Sequence, residues 1–112
     1  MTDSNLRPLD ALEQTILERK NSGDEKSYTT RLLAGGVEKI GRKIIEEAAE
    51  VVEAADEPGA EGRDHTIYEA GDVIYHLMVL LASRDIKLQE VEAELARRFG
   101  VSGIEEKANR NK

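Results

Sequence analysis

Carboxylate side chains recur at helical spacing in two segments of the chain and could together bind a metal ion. Glu47 and Glu50 are three residues apart, so on a helix they point the same way, and Glu69 and Asp72 repeat that spacing. Carboxylates brought side by side repel one another and lose hydration unless a cation compensates their charge. Oxygen ligands suit Mg²⁺ or Mn²⁺, and Mg²⁺ is usually bound by carboxylates, waters and substrate phosphates together. The pattern therefore predicts metal-assisted hydrolysis of a phosphoanhydride.

Charged residues around these motifs also have a simpler interpretation. Acidic residues at helical spacing usually form a solvated surface, which is the favoured interpretation for Glu46 or Glu53 taken alone. Lys39 and Lys43 could bind substrate phosphates, or they could form ordinary ion pairs with glutamates one turn away. Both alternatives stay open for the two lysines.

His76 extends the stripe that Glu69 and Asp72 begin on the same predicted helix. A histidine on a buried helix is more often a hydrogen-bonded core residue than a ligand, and cations that prefer oxygen give little reason to recruit it. We therefore leave His76 out of the predicted metal ligands.

Apolar residues at every third or fourth position predict the helices that must position these groups. The long predicted helices run from near Pro8 to about Asn21, from Val37 to Ala55, from His65 to Ser83 and from Lys87 to Phe99. A short helix through Arg31, Leu32 and Leu33 is expected, capped by the hydroxyl of Ser27 or Thr29 and ended or bent by Gly35 and Gly36. Residues 56–64 contain proline and two glycines, so they predict a hairpin connection, with Asp64 capping the next helix.

The apolar patterns of the two long central helices predict the core. The first has one apolar stripe, which contains Val37, Ile40, Ile44, Ala48, Val51 and Ala55. The second is apolar almost all round in its second half, which predicts a central position. No strand pattern occurs, so the expected fold is an all-α antiparallel bundle of four to five helices that shares its core in a homodimer.

Length and composition narrow the function classes. The 112 residues fit a single domain over residues 1–112, with a flexible beginning and a flexible tail from about residue 103. The net charge is -7 and basic residues are scattered, which argues against a nucleic-acid partner. The chain has no cysteine, no export-signal pattern and no apolar stretch of about 18 residues, so a cytoplasmic protein without a membrane partner is expected.

The acidic motifs resemble those of a known superfamily. EEAAE beginning at Glu46 and EAGD beginning at Glu69, separated by eighteen residues, resemble the metal motif of the all-alpha, MazG-like nucleoside triphosphate pyrophosphohydrolases. The stretches SYTTRLLAGGVEKIGRKIIEEAAEVVEAA, DVIYHLMVLL and SGIEEKANR are similar, more narrowly, to the phosphoribosyl-ATP pyrophosphatases of histidine biosynthesis. The similarity extends from about Leu9 to Arg110.

The resemblance implies hydrolysis of phosphoribosyl-ATP to phosphoribosyl-AMP and pyrophosphate by a Mg²⁺-dependent homodimer. It implies metal ligands at Glu47, Glu50, Glu69 and Asp72. Glu46 and Glu47 are the implied catalytic residues, with Glu46 at a position that helps to hold the metal or to position and deprotonate the attacking water. Substrate-binding positions are implied at Lys39, Lys43, Lys107 and Arg110. The SYT segment at residues 27–29 and the EEKANR segment at residues 105–110 are implied to contact substrate phosphates or a second subunit.

One departure from the family pattern precedes the glutamate pair. Many relatives have glycine where this chain has Ile45, which adds bulk without removing a ligand, so we expect activity to survive.

Two rival functions are distinguished by simple measurements. A housekeeping pyrophosphohydrolase of canonical or modified nucleoside triphosphates would use the same metal chemistry with a different base pocket. A helical interaction module with a merely solvated acidic stripe would show no change in melting temperature with Mg²⁺.

Overall fold

The computed structural model describes residues 6–100, which form four α-helices and no β-strand. Helix α1 spans Pro8–Ser22, α2 spans Tyr28–Ala55, α3 spans Gly59–Ser83 and α4 spans Leu88–Phe99. The short connection at residues 56–58 makes α2 and α3 an antiparallel hairpin that packs along its length, and α1 lies against both helices. The predicted all-α fold is confirmed. The expected tail from residue 103, with Lys107 and Arg110, lies outside the described residues.

Helix α1 begins and ends as its sequence predicts. Pro8 occupies the first helical position, where its missing N–H costs no hydrogen bond. Gly23 ends the helix in the left-handed conformation, with φ of 64°, and donates its backbone N–H to the carbonyl of Arg19 at 3.1 Å.

Helix α2 contains a sharp break at Gly36. Its φ of 72° and ψ of -171° lie in a region that is open essentially to glycine alone. Ser27 caps the helix by accepting a hydrogen bond from the backbone N–H of Thr30 at 3.3 Å. The predicted short helix and the predicted long helix are therefore two arms of α2, residues 28–35 and residues 37–55.

Helix α3 begins six residues earlier than predicted, at Gly59 instead of His65. Asp64 lies inside the helix, so its predicted capping role is wrong. Pro58 occupies the N-cap position in an extended conformation, which allows the helix to begin directly after it. The close approach of the Glu57 backbone requires glycine at position 62, because a Cβ there would collide with that backbone. Gly62, which the sequence pattern places in the connection before the helix, instead lies within α3 and lets the connection pack closely against it.

The core of one chain is small. Its buried cluster consists of Ile16, Leu32, Ile40, Met78, Val79 and Ala82. The line on α2 that faces inward passes through Ile40, Glu47 and Ala54, which are seven residues apart. The predicted apolar stripe is therefore wrong in part, since Val37 is 54% exposed and Ala48 and Ala55 are also exposed.

Large apolar side chains remain exposed on both long helices. They are Val37, Ile45 and Val52 on α2, with Ile67, Tyr68, Ile74 and Leu77 on α3. Helix α3 was predicted to lie at the centre of the fold, but one side of it is exposed within a single chain, so the prediction is wrong for that side. Helix α4 has no buried residue. Within residues 6–100, every helix is too short or too polar to cross a lipid bilayer.

Candidate metal and substrate site

Three glutamates from α2 and α3 converge where the two helices pack together. Glu47 and Glu50 lie one turn apart on α2, and Glu69 faces them from α3. One carboxylate oxygen from each lies within 4.8 Å of the others. This separation allows a single cation to contact all three carboxylates.

Two of these carboxylates are buried without full hydrogen bonding. Glu47 and Glu69 are only 7% and 6% exposed, and the Oε2 atom of each is buried without a hydrogen-bond partner among the described residues. An unsatisfied buried carboxylate oxygen is costly, and such charges are normally paired or bound to a metal. Glu50 is exposed and leaves the cluster accessible from solvent. The donor set therefore fits a hard divalent cation.

Crowding of the carboxylates shifts their proton affinities. A proton shared with Glu50, followed by burial, raises the pKa of Glu69 from 4.5 to about 6. Burial, then the shared proton and charge of Glu50 and the charge of Asp72, raises the pKa of Glu47. Both shifts indicate that the described residues around the cluster compensate its negative charge only in part.

Asp72 lies one turn after Glu69 on α3 and is half-buried. It is outside the group of three carboxylates that come within 4.8 Å of one another, although its charge raises the pKa of both Glu47 and Glu69. The structure thus brings together three of the four predicted ligands, and the fourth stays a prediction.

Lys43 lies between the exposed Glu46 and the buried Glu47 on α2. Its Nζ lies 3.2 Å from Oε2 of Glu46 and 3.7 Å from Oε1 of Glu47. The hydrogen bond to Glu46 is the main cause that raises the pKa of Lys43. Ion pairing is therefore confirmed for this lysine, and its binding of a substrate phosphate stays a prediction. Lys39 is exposed one turn earlier on the same side of the helix.

His76 is a buried, hydrogen-bonded residue, as its position on α3 predicts. It is 4% exposed, and its Nδ1 lies 2.7 Å from the backbone oxygen of Asp72. Its Nε2 lies 3.1 Å from the hydroxyl of Tyr28, at the beginning of α2. The resemblance assigned the segment that contains Tyr28 to substrate phosphates or dimer contacts, but sequence reasoning missed its contact with His76, because the two residues are 48 apart and no spacing rule connects them.

A second group missed by sequence reasoning lies on the other side of Glu69. His65 Nδ1 is 3.0 Å from Oε1 of Glu57, and its Nε2 is 3.9 Å from Oε1 of Glu69. The hydrogen bond to Glu57 raises the pKa of His65. A cavity of about 290 Å³ is lined here by Glu50, Glu53, Glu57, His65 and Glu69. His65 lies one turn before Glu69 on α3, a spacing that the sequence already contains, whereas its contact with Glu57 depends on the folded connection.

Comparison with known protein families identifies the family of this chain. The family model described as Phosphoribosyl-ATP pyrophosphohydrolase matches residues 9–99. The chain belongs to the phosphoribosyl-ATP pyrophosphohydrolase family. The match covers all four helices except the first residue of α1, and it includes every carboxylate of the cluster.

Several named phosphoribosyl-ATP pyrophosphatases are similar to this member of the family over most of their length. The protein of Rhodopirellula baltica is 62% identical over 105 residues, which cover 94% of this chain and 88% of that protein. The protein of Trichlorobacter lovleyi is 52% identical over 109 residues, covering 96% and 97%. Phosphoribosyl-ATP pyrophosphatase 1 of Rhodopseudomonas palustris is 50% identical over 101 residues, covering 90% and 92%.

Proposed function

We propose that this protein hydrolyses phosphoribosyl-ATP to phosphoribosyl-AMP and pyrophosphate, the second step of histidine biosynthesis. The names of its relatives and its family support this substrate. The observation that carries the chemistry is the carboxylate cluster, in which Glu47 and Glu69 each keep a buried oxygen that has no hydrogen-bond partner in the described part of the chain. A phosphoanhydride and its divalent cation would supply the partners that these oxygens need.

The cation proposed for the site is Mg²⁺, with Mn²⁺ able to replace it. Glu47, Glu50 and Glu69 would hold it, with Asp72 as the fourth ligand. All-oxygen donors and a position open to solvent support a hard cation that shares its coordination with phosphates and water. Bound there, Mg²⁺ would neutralise phosphate charge and lower the pKa of a water molecule.

Glu46 is the proposed acceptor of the water proton, and Glu47 would assist it as a catalytic residue and ligand. The Glu46 side chain is 61% exposed, and its Oε2 lies 3.2 Å from Nζ of Lys43. As the water oxygen bonds to phosphorus, its proton would pass to Glu46. The anhydride bond between the α and β phosphoryl groups would break, and pyrophosphate would leave with the bonding electrons.

Basic side chains near the cluster are the proposed ligands of the substrate phosphates. Lys43 already faces Glu46 and Glu47, and an incoming phosphate would compete for its ammonium group. Lys39 would extend the same side of α2 toward the substrate. Lys107 and Arg110 are proposed from sequence resemblance alone.

We also propose that the protein is a homodimer formed by the long helices. Exposed fractions of 72% for Ile45 and 70% for Val52 on α2, and of 58% for Ile67 on α3, leave much apolar surface in contact with water. Burying such surface contributes about 25 cal/mol per Å². A second copy would complete the small core of each chain. One domain per chain and a cytoplasmic location stay predictions from the sequence.

Pyrophosphate release from purified protein tests the proposed function. The assay compares phosphoribosyl-ATP with ATP and other nucleoside triphosphates, each with Mg²⁺ and with a chelator. We expect turnover of phosphoribosyl-ATP that requires the metal, with little turnover of ATP. Preference for ordinary triphosphates would assign the housekeeping activity instead, and release unaffected by chelation would refute the metal mechanism.

A further inference from the structure

A hydrogen-bonded pair joins the beginning of α2 to α3 beside the carboxylate cluster. The Tyr28 hydroxyl lies 3.1 Å from Nε2 of His76, and the two rings meet edge to face with centroids 5.9 Å apart. Tyr75 stacks on the Tyr28 ring at 6.3 Å and forms a hydrogen bond with Thr29. These contacts fix the ring, although Tyr28 as a residue is 42% exposed.

The hydrogen bonds of His76 decide which way the Tyr28 hydroxyl donates. His76 Nδ1 faces the backbone oxygen of Asp72 at 2.7 Å, and a carbonyl can only accept, so Nδ1 carries the hydrogen. In the neutral ring, Nε2 then has only a lone pair. Tyr28 must donate its hydroxyl hydrogen to His76, which leaves the phenol oxygen as an acceptor for any further partner.

Tyr28 is joined to the carboxylate site through His76, whose Nδ1 lies 2.7 Å from the backbone oxygen of Asp72. Burial raises the pKa of Tyr28, Lys43 opposes this shift, and the charges of Glu47 and Asp72 add to it. The phenol therefore keeps its proton at neutral pH. Phosphate oxygens at this pH carry almost no hydrogen, so they offer nothing that the phenol oxygen can accept. A ribose hydroxyl or an adenine amino group carries a hydrogen that it can donate to the phenol oxygen.

We infer that Tyr28 binds the nucleoside part of the substrate by accepting a hydrogen bond from a ribose hydroxyl or amino group, and that His76 is the residue that positions it. The inference rests on the proposed function for the identity of the substrate. It gives the beginning of α2 a role in recognising the nucleoside, while Lys43 and the carboxylates face the phosphates and the metal.

The test compares Tyr28→Phe with wild type and uses Tyr68→Phe as the matched control. Tyr28→Phe keeps the ring and its stacking but removes the acceptor, so KM for phosphoribosyl-ATP should rise about three- to tenfold with kcat nearly unchanged. Tyr68 is 68% exposed on α3, and Tyr68→Phe should leave both constants unchanged. A fall in kcat with unchanged KM in Tyr28→Phe would overturn the inference.

A second variant tests whether His76 acts through the tyrosine. His76→Phe removes the acceptor of the phenol hydrogen and should raise KM in the wild-type background. The same substitution added to Tyr28→Phe should have little further effect on KM, whereas an equal effect in both backgrounds would refute the positioning role. Circular dichroism establishes that each variant is folded.

Separate binding measurements with AMP and with inorganic pyrophosphate distinguish this inference from the proposed activity. AMP and inorganic pyrophosphate are titrated separately into wild type and Tyr28→Phe by calorimetry. The variant should bind AMP about three- to tenfold more weakly and pyrophosphate equally well. Unchanged AMP binding or weakened pyrophosphate binding would overturn the role of Tyr28, whatever the turnover assay finds. Absent turnover with the expected AMP result would refute the activity alone.

Discussion

Glu47 on α2 and Glu69 on α3 approach each other with one buried oxygen apiece that has no hydrogen-bond partner within residues 6–100. Their raised pKa values follow from the same crowding. The packing of the hairpin therefore brings negative charge together at a cost to the stability of the metal-free protein. A bound cation would offset this cost, which links stability, metal binding and activity in one feature.

Replacing Glu47 by glutamine should change stability and activity in opposite directions. Glu47→Gln removes a buried negative charge, so the melting temperature of the metal-free protein should rise. Turnover should fall about a hundredfold or more, because a ligand is lost, and Mg²⁺ should raise the melting temperature less than in wild type. Thermal unfolding and pyrophosphate release measure the two effects.

The control for this prediction is Glu18→Gln, since Glu18 is exposed on α1. It should leave turnover and the response to Mg²⁺ as in wild type. If Glu47→Gln keeps normal turnover, Glu47 is neither a catalytic residue nor a required ligand.

The stability of the metal-free protein should decrease as pH rises from 4.5 to about 6, the interval between the ordinary and the native pKa of Glu69. In this interval the native protein holds a proton that the unfolded chain has released, so the free energy of unfolding falls with increasing pH. Urea unfolding at several pH values, with a chelator present, measures the trend.

Two comparisons assign the pH effect to the cluster. Glu69→Gln should flatten the dependence over this interval, and Mg²⁺ at neutral pH should restore stability to the wild type. A wild-type stability that increases with pH across the interval, without metal, would contradict the raised pKa of Glu69.

Two glycines of α2 should respond to alanine with opposite signs. Gly36→Ala forces a side chain into a backbone conformation that is nearly exclusive to glycine, so the free energy of unfolding should fall by about 1–3 kcal/mol. Gly41 is helical, and a Cβ there meets open space among the described residues. Gly41→Ala should therefore add about 0.5–1 kcal/mol.

Urea unfolding at a fixed protein concentration measures both glycine variants. Gly36→Ala should also raise KM for phosphoribosyl-ATP, since the break orients the arm that carries Tyr28. Equal stability of the two variants would show that the break at Gly36 is absent in solution.

A charge on the exposed apolar face of α2 should weaken the proposed homodimer. Val52→Asp would place an unpaired carboxylate in the interface and raise the dimer dissociation constant at least about tenfold. Ile86→Asp is the control, because Ile86 lies in the connection between α3 and α4, outside both long helices. Sedimentation equilibrium measures both variants, and a monomeric wild type would contradict the proposed assembly.

The sequence alone was sufficient to predict most of the fold. Periodic apolar residues located all four helices, and the glycines at positions 23 and 36 marked an end and a break that the structure contains. The carboxylate cluster was also predictable, because Glu47 and Glu50 share one helix face and a hairpin brings α3 alongside.

The periodicity of apolar residues could not predict the contacts between distant residues, nor which face of each helix is buried. The start of α3 depends on the close contact of Gly62 with the Glu57 backbone, which overrides the usual effect of glycine. Tyr28 and His76 meet only after the hairpin forms. Val37 and Ile74 are apolar and yet exposed, because periodicity identifies an apolar face without saying which surface covers it.

The break at Gly36 divides α2 into an arm that carries Tyr28 and an arm that carries Glu47 and Glu50. The backbone rotations at Gly36 set the angle between the arms, and the contact of Tyr28 with His76 on α3 holds the first arm in place. Mutations in residues 28–36 can therefore redirect the tyrosine while the carboxylates stay in place. Substitutions in this arm, natural or engineered, could change which nucleotide the protein accepts while the carboxylates that support hydrolysis stay the same.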